Sequence, residues 1–281
     1  MEYITTSNSG LEQRINLFQP SLDEKQVNLV TPTIINEEEL LKKHKEEYSD
    51  SIRVPDWKEV LFVLKGRNPT IDPSDLEVIA TTSYHIQAIE KEKDITPVAL
   101  DGLILTNDNK FVYGVRGGNV ERDKACICPA GYLSIPNKSR NPLFASFYKE
   151  LTEELGIDYS KQESTQLLGY QTDPDFTKGI HFIFYLPTTE TAHELDEIHK
   201  NAIKVYEESI SEGNSVAEAR KAIKDNGFSN IDAWEHTKLL FVDNNPKTIQ
   251  KIIDTRNIQY KNKAYPLLDI GRGPLILYSN L

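Results

Sequence analysis

The sequence is poor in cysteine and lacks long apolar runs. Only two of its 281 residues are cysteines, Cys126 and Cys128, and a single residue separates them. This spacing is typical of a β-strand rather than of a disulfide framework, so we expect both thiols to be structural. No apolar run of roughly eighteen residues occurs, and Glu2 and Glu12 lie where a secretory signal would be apolar. These absences predict a cytoplasmic protein without a membrane segment.

Positive charge is the second deficit. The sequence has 32 lysines and arginines against 43 aspartates and glutamates, which gives a formal net charge of -11 at pH 7. Such a chain repels nucleic-acid backbones and anionic membranes, so we expect neither as a partner. A small polyanion is still compatible if divalent metal occupies some of the acids. The 38% of hydrophobic residues is ordinary for a globular protein, and the composition is equally compatible with a homodimer.

The sequence patterns predict an α/β protein with two regions. Residues 1–95 combine loops, a charged helix that begins near residue 36 and strand-like runs, which predict an N-terminal α+β region. Residues 96–281 predict a larger domain that contains a helical insertion over residues 192–226.

Within the second region, residues 98–106 and 110–116 predict a β-hairpin around the turn Asn-Asp-Asn. The other predicted elements are strands at 165–171, 180–186 and 239–242, and a helix at 246–255. Residues 271–278 predict a turn followed by a closing strand.

A helix at residues 142–155 carries the candidate chemistry. Asn141 suits the N-cap, Pro142 suits the first helical position, and Gly156 is a typical helix terminator. Four apolar residues form a stripe that we expect to face the sheet: Phe144, Phe147, Leu151 and Leu155. Three carboxylates are expected to cluster away from the centre of this stripe: Glu150, Glu153 and Glu154.

Clustered carboxylates on a helix have two interpretations. Like charges at this spacing destabilise a helix by about 0.2–0.5 kcal/mol per pair, so the patch needs either full solvation or a cation. Taken alone, three glutamates favour the solvated acidic face, because exposed glutamate is a good helix former. Hard divalent cations such as Mg²⁺, however, prefer carboxylate oxygens and bridge to phosphate, which makes a phosphate site the alternative.

Residues 149–157, Lys-Glu-Leu-Thr-Glu-Glu-Leu-Gly-Ile, resemble the second half of the Nudix box, Arg-Glu-U-x-Glu-Glu-x-Gly-U with U aliphatic. Residues 129–131, Pro-Ala-Gly, resemble the segment with which that box opens, and the hairpin at 98–116 resembles the strands before it. The resemblance covers residues 98–186 and, more loosely, 234–253. It implies a Nudix-like α/β/α sandwich with a mixed sheet.

The sequence departs from the family pattern in the first half of the box. The loop from Gly131 to Lys149 is longer than is usual in the family, and Asn137 stands where an early glutamate is expected. Lys149 replaces an arginine, and an ammonium group cannot hold a carboxylate bidentately as a guanidinium does.

Carried over by position, the resemblance implies a site for Mg²⁺ or Mn²⁺. The implied ligands are three carboxylates and one backbone carbonyl: Glu150, Glu153, Glu154 and Gly131. Lys149 would orient a glutamate of the box. Glu235, just before the strand at 239–242, is our candidate for a further ligand or base, and its alternative interpretation is an ordinary exposed acid.

Two residues outside the box are candidates for binding substrate. Arg116 ends a predicted strand near the box, and a guanidinium is well suited to phosphate. Tyr170 lies where branches of the family place aromatic markers of dinucleotide and ADP-ribose substrates. Residues 82–85 and 271–278 are instead faintly similar to the UDP-sugar diphosphatase branch. Because substrate is usually recognised by loops and accessory segments, the insertion at 192–226 is expected to set specificity.

The resemblance implies an enzyme in which water attacks one phosphorus of a diphosphate while Mg²⁺ neutralises the leaving oxygens. We expect the substrate to be a small nucleotide, a nucleoside diphosphate joined to another moiety, as in a nucleotide sugar or ADP-ribose. Two alternatives remain open. One is a nucleoside triphosphate diphosphatase of the same fold, and the other is a non-catalytic Nudix-like module that senses a nucleotide.

Overall fold

The computed structural model describes residues 1–31, 36–51, 58–66, 71–88, 95–117, 121–134, 141–161, 164–175 and 178–281. Asn137, in the long loop of the box, lies outside these residues. The helices are α1 (Glu37–Glu47), α2 (Ser83–Gln87), α3 (Pro142–Leu155), α4 (Ala192–Ser211), α5 (Val216–Asp225), α6 (Pro246–Thr255) and α7 (Asp269–Tyr278). None of these described helices is long and apolar enough to cross a membrane.

The strands are β1 (Glu2–Thr6), β2 (Glu12–Leu22), β3 (Leu29–Val30), β4 (Val60–Lys65), β5 (Leu76–Thr82), β6 (Ile95–Leu105), β7 (Lys110–Arg116), β8 (Ala125–Ile127), β9 (Ala130–Tyr132), β10 (Gln166–Asp173), β11 (Gly179–Pro187), β12 (His236–Asp243), β13 (Asn257–Tyr260) and β14 (Lys263–Pro266). β13 and β14 form a separate hairpin, and the other strands form one mixed sheet.

The long strand β6 organises the mixed sheet. β11 runs parallel to it, whereas β4, β9 and β7 pair with it antiparallel at successive positions along its length. β12 extends the sheet beyond β7, and β10 extends it beyond β11. The predicted hairpin is confirmed, because Leu105 of β6 pairs with Phe111 of β7.

N-terminal strands complete both ends of this sheet. β2 pairs with β10, and β5 joins through β4 to β6. The sheet is therefore continuous across residues 95 and 96, and the division into two domains at that point stays a prediction.

Helices cover both faces of the sheet, which confirms the predicted mixed α/β architecture. Alternate residues of β6 point to opposite faces. Leu100 belongs to the buried cluster that includes the apolar stripe of α3, and Leu103 to the cluster that includes α7. On the α3 face, the rings of Phe147 and Phe184 stack with centroids 4.4 Å apart. α3 is thereby fixed against the centre of the sheet.

The closing strand predicted at residues 271–278 is wrong, because these residues belong to helix α7. A short apolar run flanked by glycines is compatible with a strand and with a buried helix alike. The glycines serve close packing instead of a turn, since a Cβ on Gly273 would overlap the side chain of Gln171. The hydroxyl of Tyr113 donates to the carbonyl of Gly271 at 3.0 Å, which ties α7 to the sheet.

Candidate functional site

The ends of α3 are defined by the predicted residues. The Asn141 side chain accepts a hydrogen bond from the backbone N–H of Leu143 at 3.0 Å, and Pro142 occupies the first turn. Gly156 ends the helix with φ of 72°, a left-handed conformation that glycine adopts readily. The helix therefore begins and ends where the sequence predicts, which fixes the direction of each glutamate side chain.

Two of the predicted carboxylates lie on either side of a lysine. The Nζ atom of Lys149 is 3.4 Å from Oε1 of Glu150 and 3.3 Å from Oε2 of Glu153. Burial alone would lower the pKa of Lys149, but the two carboxylates outweigh burial and raise it. Lys149 is thus a cation that holds both glutamates, although it bonds them singly and not as a bidentate arginine would.

Gly131 brings the backbone of β9 against the carboxylate of Glu150. A Cβ at this position would lie 2.7 Å from Oε2 of Glu150 and closer still to its carboxyl carbon. Any other residue here would displace that carboxylate. Burial raises the pKa of Glu150 well above its ordinary value, while the positive charge of Lys149 opposes the rise. The carboxylate of Glu150 thus lies in a close-fitting cradle with unfavourable solvation, where a cation would stabilise its charge.

The side chain of Glu154 points inwards, so the expectation that all three carboxylates point away from the apolar stripe is wrong for this residue. Its side chain is buried with 2% exposure. The reason is helical geometry: Glu154 lies only about 60° around the helix from Leu151, at the edge of the stripe. Its role as a metal ligand stays a prediction.

Among the described residues, three polar groups surround the buried carboxylate of Glu154. The backbone N–H of Ala130 donates to Oε1 at 3.0 Å, and Sγ of Cys128 donates to Oε2 at 3.3 Å. Nε2 of His236 lies 2.8 Å from the same Oε2. Burial raises the pKa of Glu154 to about 7, although the hydrogen bonds from Ala130 and Cys128 act in the opposite direction.

Sequence reasoning did not select Cys128 or His236 for the site. Ligand atoms of Cys128, Glu154 and His236 all lie within 4.8 Å of one another, close enough to share an ion. Burial lowers the pKa of His236 to about 4, so its imidazole is neutral at pH 7. Only weak features of the sequence indicated these two residues: Cys128 directly precedes the Pro-Ala-Gly segment, and His236 directly follows Glu235.

Glu235 and Arg116 lie next to this buried group, and their roles as a base and as a phosphate ligand stay predictions. Glu235 ends a short 3₁₀ turn, and its carbonyl accepts from the N–H of Gly117 at 2.9 Å. Burial and the charge of Glu154 raise the pKa of Glu235. Arg116 pairs in register with His236 across β7 and β12. Burial alone would lower the pKa of Arg116, but Cys126 and the two glutamates raise it.

Arg116 has unused hydrogen-bonding capacity. Its Nε is buried and has no hydrogen-bond partner among the described residues. A buried N–H without a partner is unfavourable, so this guanidinium is suited to an anionic ligand.

Tyr170 lies in a different environment from the glutamates. It is on β10, with its ring centroid 5.9 Å from that of Phe18 and 6.3 Å from that of Phe182. Burial and the negative charge of Glu2 raise its pKa, and Arg14 opposes them. Its neighbours are thus apolar rings and N-terminal residues, and its role in binding substrate stays a prediction.

Similarity to known proteins is found in structure and not in sequence. No family model and no curated protein matches the chain. One similar structure is a bifunctional NMN adenylyltransferase/ADP ribose pyrophosphatase from Francisella tularensis, complexed with AMP and a manganese ion. Its TM-score is 0.39 at 12% identity, covering 70% of this chain and 46% of that one. The chain thus spans less than half the length of the Francisella protein.

Two further similar structures cover more of the other protein. The MutT protein from Methanosarcina mazei has a TM-score of 0.34 at 12% identity, covering 66% of this chain and 94% of that one. The Nudix domain of Shewanella oneidensis NrtR, complexed with ADP ribose, has a TM-score of 0.26 at 13% identity, covering 34% of this chain and 63% of that one.

Proposed function

We propose that the chain is a Nudix-type hydrolase that cleaves the diphosphate linkage of a nucleoside diphosphate joined to a second moiety. A nucleotide sugar and ADP-ribose are the substrates of this class that we consider. The observation that carries the proposal is the arrangement of Glu150 and Glu153 around Lys149, with the backbone of Gly131 directly against Glu150. An acidic patch that is only solvated does not require a glycine cradle.

The residues fit a hard divalent cation. Glu150 and Glu153 would supply carboxylate oxygens, and Gly131, whose backbone lies against Glu150, would supply its carbonyl oxygen. Mg²⁺ and Mn²⁺ prefer oxygen ligands of these kinds. Such a metal, when bound, would neutralise the phosphate oxygens and the charge that develops on the leaving group. Glu154, the third carboxylate that the sequence predicts as a ligand, already accepts hydrogen bonds from Ala130 and Cys128.

The remaining residues would act on the phosphates and on protons. Arg116 would donate its buried, unpartnered Nε–H to a phosphate oxygen. Burial and the charge of Glu154 raise the pKa of Glu235, so its carboxylate is a stronger base than an ordinary glutamate and would accept a proton from the attacking water. Lys149 would hold Glu150 and Glu153 in position.

The test is a hydrolysis screen with identified products. The protein is incubated with ADP-ribose, UDP-glucose and nucleoside triphosphates, with Mg²⁺ and without it, and the products are separated by chromatography. We expect Mg²⁺-dependent release of two phosphorylated halves from ADP-ribose or UDP-glucose. A monophosphate plus inorganic diphosphate from a triphosphate would support the triphosphate alternative. Tight binding in calorimetry without turnover would support a non-catalytic module.

A further inference from the structure

Arg220 is a cationic side chain of the helical insertion that is connected to α3 through Asp232. It belongs to α5, and its Nη2 donates to Oδ2 of Asp232 at 2.8 Å. The backbone N–H of Asp232 donates in turn to the carbonyl of Glu153 at 2.7 Å. One residue, Asp232, therefore connects the guanidinium of the insertion to the helix that carries the candidate metal ligands.

Arg220 and Asp232 also interact electrostatically with the neighbouring acids. Burial raises the pKa of Asp232 to about 7, Arg220 opposes this rise, and the charges of Glu235 and Glu153 add to it. Burial and Glu154 raise the pKa of Glu235, and the positive charge of Arg220 is among the groups that oppose this rise. The guanidinium is thus within electrostatic reach of both acids on this side of the site.

Asp232 also fixes an aromatic side chain. Its Oδ1 accepts a hydrogen bond from Nε1 of Trp234 at 3.2 Å. The indole stacks on the ring of Tyr206 from α4, with centroids 5.6 Å apart and planes inclined by 11°. Both helices of the insertion are thereby tied to the turn that leads into Glu235, and Arg220 is held on a rigid support.

The exposure of the two partners differs in a way that suits a ligand. The side chain of Arg220 is 39% exposed, whereas that of Asp232 is 13% exposed. Asp232 therefore accepts a hydrogen bond from one edge of the guanidinium, on the side that faces the protein. The other N–H donors of Arg220 are open to solvent. Because Arg220 is this exposed, its ion pair with Asp232 contributes little to stability. Stability alone therefore does not explain why the carboxylate of Asp232 is buried near Glu153 and Glu235.

We propose that Arg220 binds a phosphate oxygen of the substrate and that Asp232 is the positioning residue that holds its guanidinium. This inference rests on the proposed function, because it assigns a contact to the same diphosphate. The chemistry is that of a planar guanidinium, which donates two parallel hydrogen bonds to phosphate and stays charged at any physiological pH. Arg220 would add a third cation to Lys149 and Arg116 at a site rich in carboxylates, where the substrate itself is an anion.

The experiment compares Arg220→Ala with Arg220→Lys and with the matched control Lys224→Ala, which removes an exposed cation from the same helix. KM and kcat are measured for ADP-ribose and UDP-glucose with Mg²⁺, and the melting temperature is recorded for each variant. We expect Arg220→Ala to raise KM at least about tenfold and Arg220→Lys to raise it less, while Lys224→Ala behaves as wild type. A structural role would instead lower the melting temperature and leave KM unchanged.

The possible failures are distinct. If wild type hydrolyses neither substrate, that result contradicts the proposed function and also this inference, which depends on it. If wild type is active and Arg220→Ala keeps its KM, the inference alone is overturned. Should Arg220→Ala fail to fold, Arg220→Lys decides the question, because an unchanged KM at an unchanged melting temperature overturns the inference and a raised KM supports it.

Discussion

His236 Nε2 and Glu154 Oε2 lie 2.8 Å apart, and both side chains are buried. The pair connects α3 to β12 across 82 positions of sequence. Because both groups are shielded from water, the hydrogen bond between them satisfies polar atoms that water does not reach. This relationship identifies Glu154 first as a carboxylate that fastens the helix to the sheet.

We predict that His236→Ala destabilises the protein by about 2 kcal/mol or more, because it leaves a cavity and removes a partner from a buried carboxylate. Urea unfolding at pH 7 measures the change. The control is His193→Ala, which removes an exposed imidazole from α4 and should leave the unfolding free energy unchanged. Equal stability of the two variants would show that the buried hydrogen bond is dispensable.

Gly131→Ala should abolish function with little cost in stability. The new Cβ overlaps the carboxyl group of Glu150, and that flexible group is displaced from its position near Lys149. Gly213→Ala is the opposite case, because it has open space around it but a positive φ of 90°. It should cost about 1 kcal/mol and keep full activity.

Both glycine variants are assayed for Mg²⁺-dependent hydrolysis and for thermal unfolding. Wild-type activity in Gly131→Ala would contradict the assignment of a cradle for Glu150.

A second buried charge cluster predicts a pH dependence of stability. Nδ1 of His181 lies 3.0 Å from Oδ1 of Asp101, and its Nε2 lies 3.6 Å from Oδ2 of Asp173. Burial alone would lower the pKa of His181, but the two carboxylates outweigh burial and raise it from 6.5 to about 10. Since the folded pKa lies above the ordinary value, this stabilisation is complete below pH 6.5 and is lost as the pH rises towards 10.

The measurement is urea unfolding of wild type and His181→Asn between pH 6.5 and 10. The stability advantage of wild type over the variant should shrink by about 1 kcal/mol per pH unit across this window. His193→Asn serves as the control and should follow the wild-type pH dependence. A constant difference between wild type and His181→Asn would mean that His181 is not held as a cation.

Local features of the sequence were sufficient to predict α3. Its N-cap, its first proline, its terminal glycine and its apolar stripe all act within one helix, so each could be interpreted without a tertiary contact. The hairpin of β6 and β7 was predictable for the same reason, because a short turn joins its strands. The helical insertion followed from periodicity, and capping boxes at Thr191 and Ser215 begin its helices.

The unpredicted part of the structure depends on contacts between distant residues. The inward direction of Glu154 is set by its position at the edge of the stripe and by three partners: Cys128, which follows β8, Ala130 on β9 and His236 on β12. No local sequence pattern predicts these contacts. Helix α7 was mistaken for a strand because apolar residues with glycines fit both elements. Its close packing depends on Gln171, about a hundred residues earlier in the chain.

The most direct test of the central claim is the rate of Mg²⁺-dependent hydrolysis of ADP-ribose and UDP-glucose by Glu153→Gln. This variant keeps the size of the side chain and removes one carboxylate charge beside Lys149. The matched control is Glu207→Gln, which changes an exposed glutamate of α4. We predict that Glu153→Gln lowers the rate at least about tenfold while Glu207→Gln retains it. Equal rates for the two variants and wild type would contradict a metal site on α3.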